Sequence, residues 1–140
     1  MSLTADTEAQ DKALLGSIGD NHRIIKALLA RKASTIRRVQ SAMDYKARTK
    51  TPLNERQQHI FNEFAGLYAK EGGKLRQSLM GMEHIQEALN HLHNERRQHI
   101  FREREAFLQS LFFLHKHQSS AIASLHRLIA SGERTLSSLK

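Results

Sequence analysis

Leu75-Arg76-Gln77-Ser78-Leu79-Met80-Gly81-Met82-Glu83-His84-Ile85-Gln86-Glu87-Ala88-Leu89-Asn90-His91-Leu92 repeats its apolar side chains at Leu75, Leu79, Met82, Ile85, Leu89 and Leu92. Steps of three and four return to one side of an α-helix, and their mean lies nearer 3.5 than 3.6 residues, the period of coiled-coil-like packing. Ile100, Phe107, Leu108, Leu111 and Leu114 extend the seam. Arg96, His99 and Glu103 interrupt it, because a strict heptad would place apolar residues there. A helix of this kind cannot hide its stripe alone and needs neighbours.

The flanking segments supply them. From His22 to about Ala47, Ile25, Leu28, Lys32, Ile36, Val39 and Met43 share one stripe, with Lys32 as its polar interruption. Thr51-Pro52 predicts a helix start, with Thr51 as cap and Pro52 in the first turn. The helix it opens carries Leu53, Ile60, Phe61, Phe64, Leu67 and Tyr68 on one face. Ser119 or Ser120 predicts the cap of a last helix bearing Ile122, Leu125, Leu128, Ile129, Leu136 and Leu139.

Breaks are expected near residue 20, where Gly16 and Gly19 weaken a helix, near 51, near 72 at Gly72-Gly73, and near 118. Residues 1–10 lack apolar periodicity and are expected to fray. With one Pro, seven Gly and no strand pattern, the reading is all-α. It predicts a single domain over 1–140, an antiparallel helical bundle or coiled-coil hairpin of three to four helices without a β-sheet. A second copy could complete it as a homodimer.

Composition narrows the chemistry. Cysteine is absent, which excludes disulfides, thiol catalysis and Cys-ligated metal, and fits a reducing, cytoplasmic setting. The start of the sequence is acidic and polar, unlike a signal or transit peptide. The most apolar run, Ala106 to Leu114, is far shorter than the roughly 20 residues needed to cross a bilayer. No membrane partner is expected.

The net charge is +8, and it is uneven. Residues 1–22 balance at −3, residues 23–56 at +8 and residues 57–140 at +3. The candidate partner-binding residues are therefore Arg23, Lys26, Arg31, Lys32, Arg37, Arg38, Lys46 and Arg48. Clustered positive charge on a helix fits an acidic protein surface or a phosphate backbone, and equally an ordinary solvated face. Tyr45 is the one aromatic in residues 23–50, which is poor for base stacking. The segment also lacks the Trp/Phe-rich face of an interfacial membrane helix.

A second feature is an internal repeat. Asn54-Glu55-Arg56-Gln57-Gln58-His59-Ile60-Phe61-Asn62-Glu63 returns 40 residues later as Asn94-Glu95-Arg96-Arg97-Gln98-His99-Ile100-Phe101-Arg102-Glu103, identical at eight of ten positions. Two short copies do not build a solenoid, so the repeat reads as a duplicated helical segment or a repeated binding epitope. Each copy sets Glu, His and Glu at i, i+4 and i+8, on one helix face. Carboxylate-bridged metal bundles use Glu-x-x-His instead, and Glu55 and His59 point away from the apolar centre of their helix. Solvated ion pairs are the simpler reading, and no metal or cofactor is expected.

No phosphate-binding loop, His-Glu-x-x-His or nucleophile elbow is present. In size, basicity and heptad-like pattern the chain is loosely similar to the small stalk and chaperone proteins of bacterial export machines, though no residue motif carries the likeness. The expectation is a non-enzymatic protein–protein interaction module, an adaptor, chaperone or assembly/secretion regulator that uses an apolar helical seam and a basic flank. The alternative is a sequence-tolerant DNA- or RNA-binding protein using residues 23–50, and behind it stands a metal-binding helical bundle.

Overall fold

The computed structural model describes the backbone of residues 2–94 and 100–140, and the side chains of residues 9–10, 12–89 and 105–140. The protein is a bundle of three long helices, α1 (Ser2–Arg48), α2 (Glu55–Asn94) and α3 (Ile100–Ser138). No strand occurs among the described residues.

Of the four expected breaks, the one near 51 is present, and α1 and α2 are joined there by residues 49–54. The chain leaves α1 through a Schellman turn, with Thr51 N–H on the Lys46 carbonyl at 3.0 Å and Lys50 N–H on that of Ala47 at 3.3 Å. Lys50 takes the left-handed conformation, φ 52°, that this turn demands and that glycine adopts more cheaply. The cap of α2 is Asn54, not Thr51. Its Oδ1 accepts from Gln57 N–H at 2.8 Å, while Gln57 Oε1 accepts from Asn54 N–H at 3.0 Å. That reciprocal box satisfies two amide groups at once, so the helix starts at Glu55 and Pro52 stays in the connection.

The breaks expected near 20, 72 and 118 are absent, and the backbone of residues 2–10, expected to fray, is helical. Burial on both sides of each weak point carries the helix through. Ile18 and Ile25 flank Gly19, Glu71 and Leu75 flank Gly72-Gly73, and Leu114, Gln118 and Ala121 span the third. A glycine in a helix interior costs only about 1 kcal/mol relative to alanine, less than fully burying a leucine gains.

α3 is the central element. α2 runs antiparallel to it, with Glu63 on Arg134, Glu71 on Arg127 and Ser78 on Ser120. α1 runs parallel to it, with Ser17 on His115, the Ile18 carbonyl on Gln118 and Thr35 on Glu133. One core cluster joins Ile25, Leu28, Leu75, Leu125 and Leu128, and a second gathers Leu14, Ile18, Leu89, Leu111 and Leu114. α1 and α2 do not pack backbone to backbone, for no Cα of one comes within 8 Å of the other among the described residues.

Two glycines set how closely the helices approach. A Cβ on Gly132 of α3 would stand 2.5 Å from Thr35 Cγ2 of α1 and 3.3 Å from Phe64 Cε2 of α2. Its bare backbone is where both outer helices converge. Gly81 of α2 likewise lies under the His117 ring of α3, 2.8 Å from where a Cβ would sit.

Candidate interaction surface

Because α1 and α2 both lean on α3 and not on each other, a groove opens between them. Near the 49–54 connection it is a cavity of about 470 Å³ lined by Ile36, Val39 and Met43 of α1 and Phe61, Phe64 and Tyr68 of α2. Further along, a second cavity of about 540 Å³ runs past Tyr68, Leu75, Leu79 and Met80. Tyr68 lines both, so the two form one trough. At 1.5 Å per residue, Phe61 to Glu83 gives it a length of about 33 Å.

The lining is more apolar than polar and incompletely covered. Tyr68 is 45% exposed and Met80 52%. Lys32 crosses the trough, its ammonium 5.9 Å from the centre of the Tyr68 ring. An exposed cation–π contact contributes about 0.5–1 kcal/mol. Lys32 and Arg76 are the cations of the lining, and Asp44 and Glu83 its anions.

The eight basic residues of α1 are not brought onto one surface. At about 100° per residue, Arg23, Lys26, Arg37 and Arg48 fall within roughly 60° of each other, opposite the stripe of Leu28, Thr35 and Val39. All four are exposed, and Arg23 is engaged by Asp20 one turn away. Arg31 and Arg38 lie toward α3, where Arg38 meets Glu133 at 3.1 Å. Lys32 and Lys46 are half-buried on the inner side.

The first copy of the repeat has a structural use. Asn54 and Gln57 cap α2, Ile60 is buried and Phe61 lines the trough. His59 pairs with Glu63 at 3.0 Å in solvent, and Glu63 also receives Arg134 at 3.3 Å. The side chains of the second copy fall outside the described residues, those of Glu95, His99 and Glu103 of its Glu-His-Glu pattern among them. Among the described residues, no three His, Asp or Glu side chains converge as a metal site would require.

The most polar point of the interior lies on the closed α2–α3 seam. Glu71, 3% exposed, receives Ser124 Oγ at 2.8 Å and Arg127 through Nε at 2.9 Å and Nη2 at 3.1 Å. The Arg127 guanidinium first, then the Ser124 hydroxyl, hold its carboxyl below the ordinary carboxylate value, against the opposing effect of burial.

Sequence reasoning missed the trough. Ile36, Val39, Met43, Phe61, Phe64 and Tyr68 were all expected on buried stripes; Val39 and Phe64 are buried, but Ile36, Met43 and Phe61 are half-buried and Tyr68 is exposed, because a single central helix covers one side of each stripe only. The available signal was stripe width, since α1 and α2 each carry more apolar arc than one neighbour can cover.

No helix of the described residues is long and apolar enough to cross a membrane. No family model, curated relative or solved structure matches the chain.

Proposed function

We propose that this chain is a non-enzymatic, single-domain protein–protein interaction module, an adaptor, chaperone or assembly/secretion regulator, which receives a helix of another protein in the trough between α1 and α2. The observation that carries this reading is the open apolar lining from Met43 and Phe61 to Leu79 and Met80. Exposed apolar surface rimmed by polar groups marks interaction sites. An amphipathic helix laid into such a groove is a recurrent recognition mode. We take the module to act in the cytoplasm, which its cysteine-free composition fits.

The test is a pull-down from the native host with groove variants. Phe61→Glu and Ala65→Glu should lose the captured protein, and Ala130→Glu, exposed on the far side of α3, should keep it. Capture indifferent to both groove charges would remove the reading.

One observation favours a second reading. Arg23, Lys26, Arg37 and Arg48 share an outward strip about 38 Å long, and such a strip can track a phosphate backbone without sequence preference. A gel shift at two salt concentrations decides it. Binding that weakens steeply with salt and disappears in Lys26→Glu/Arg37→Glu supports nucleic acid, whereas no shift at low salt excludes it.

A further inference from the structure

We infer that the occupant of the trough is an amphipathic helix of another protein whose middle is flanked by acidic residues, seated as the fourth helix of the bundle. This rests on the interaction reading above and names the partner's chemistry. The trough's length of about 33 Å accepts a helix of about 20 residues. Three long helices, α2 antiparallel to both α1 and α3, with one open lane are the frame of a four-helix bundle lacking a member.

The charges of the walls choose the partner. Lys32 and Arg76 stand in the middle stretch of the trough, and Asp44 and Glu83 lie toward its two ends. A helix lying there meets cations along its centre and anions only near its termini. Carboxylates at its central flanking positions are complementary to that order, and lysines are not. Among the described residues Lys32 has no ion pair, and it rests on the Tyr68 ring. That exposed contact is weak enough for a partner carboxylate to draw the ammonium off and clear the lane.

A second copy of this chain is a poor occupant. Each copy carries a net charge of +8. Two exposed apolar side chains that a second copy could insert, Phe112 and Phe113, share the outer face of α3 with Lys116. Docking that face would press Lys116 toward Lys32 and Arg76.

The experiment uses the full chain and three synthetic 20-residue helices. All share one leucine face and differ only in their central flanking residues, which are Glu, Lys or Gln. Fluorescence anisotropy at low salt should show the Glu helix binding at least about tenfold more tightly than the Lys helix, with Gln between, the scale of one good charge complementarity. Lys32→Glu/Arg76→Glu should invert the order, and Phe61→Glu or the more exposed Ala65→Glu should abolish binding of all three. Circular dichroism shows which variants remain folded.

Equal binding of the three helices, abolished by Ala65→Glu, would overturn the acidic partner while leaving the trough as a docking site. Binding of none would overturn both readings. A dimer in sedimentation that Ala65→Glu disperses would assign the lane to a second copy and also overturn the proposal.

Discussion

The two sides of α1 and α2 behave differently although they are built from the same residue types. Toward α3, Ile25, Leu28 and Ile60 are each at most 6% exposed. Toward each other, Ile36, Met43, Phe61 and Leu79 are half-buried, and Tyr68 and Met80 are exposed. Polar groups follow the same division. The closed seams contain paired contacts such as Glu71 with Arg127 and Thr35 with Glu133, while in the trough the Lys32 ammonium rests on a ring. An apolar stripe thus becomes core or surface according to where a third helix stands, not according to its own composition.

The sharpest way to break that contrast is to truncate one aliphatic side chain on each side. Leu125 is fully buried on α3 between the outer helices. Leu125→Ala should cost about 2–5 kcal/mol of unfolding free energy. Ile36→Ala, on the open wall, should cost clearly less, because its side chain already meets solvent. Urea denaturation of both variants measures the difference. Equal losses would mean that the trough is as much a core as the seam.

Glu71 tests the closed seam by its charge. Glu71→Ala strands the buried Ser124 hydroxyl, and an unsatisfied buried group costs about 1–3 kcal/mol. The sign of the pH dependence follows from linkage. The folded carboxyl titrates below its unfolded value of about 4.5, so its contribution is complete above that value and is lost as pH falls through the folded one. The urea midpoint should therefore fall more steeply on acidification in the native chain than in Glu71→Gln. Parallel acid profiles would show that the carboxylate adds nothing as an anion.

Gly132 and Gly73 make a matched pair on the two sides. On Gly132 a methyl group would meet Thr35 at 2.5 Å, and Thr35 is too short to swing clear. Overpacking costs about 1–3 kcal/mol, offset in part by the roughly 1 kcal/mol of helix propensity that alanine adds. Gly73 has nothing within 4 Å, so Gly73→Ala keeps the propensity gain alone and should stabilise by up to about 1 kcal/mol. Thermal melts with opposite shifts would confirm that α1, α2 and α3 touch at Gly132 and that Gly73 faces open space.

These glycines also show what could be read from the sequence. The apolar stripes were legible because steps of three and four survive in any helix, and all-α architecture followed from them. Helix ends were not. Gly16, Gly19, Gly72 and Gly73 look like breakers, but the residues around them are held by α3, from a chain distance at which no local pattern reports. Pairs such as Thr35 with Glu133 and Ser17 with His115 lie 98 residues apart. The basic cluster was visible as charge, yet its division among three faces depends on where the buried stripe settles. The trough was invisible for the same reason: only the position of α3 decides which half of each stripe stays uncovered.

The smallest expected effect lies in the trough itself. Lys32→Ala removes one ammonium from above Tyr68, a contact between partly exposed groups. If α1 and α2 are held apart by α3 and merely share a lane, the change should shift unfolding free energy by less than about 1 kcal/mol. It should leave the loss caused by Leu125→Ala unaltered, because distant independent sites add. A larger loss, or strong coupling to Tyr68→Ala in a double-mutant cycle, would mean that the outer helices support each other across the gap. The open wall would then be a structural contact closed by its own lysine, and a partner helix would have to displace it at a cost to stability, not occupy a lane already free.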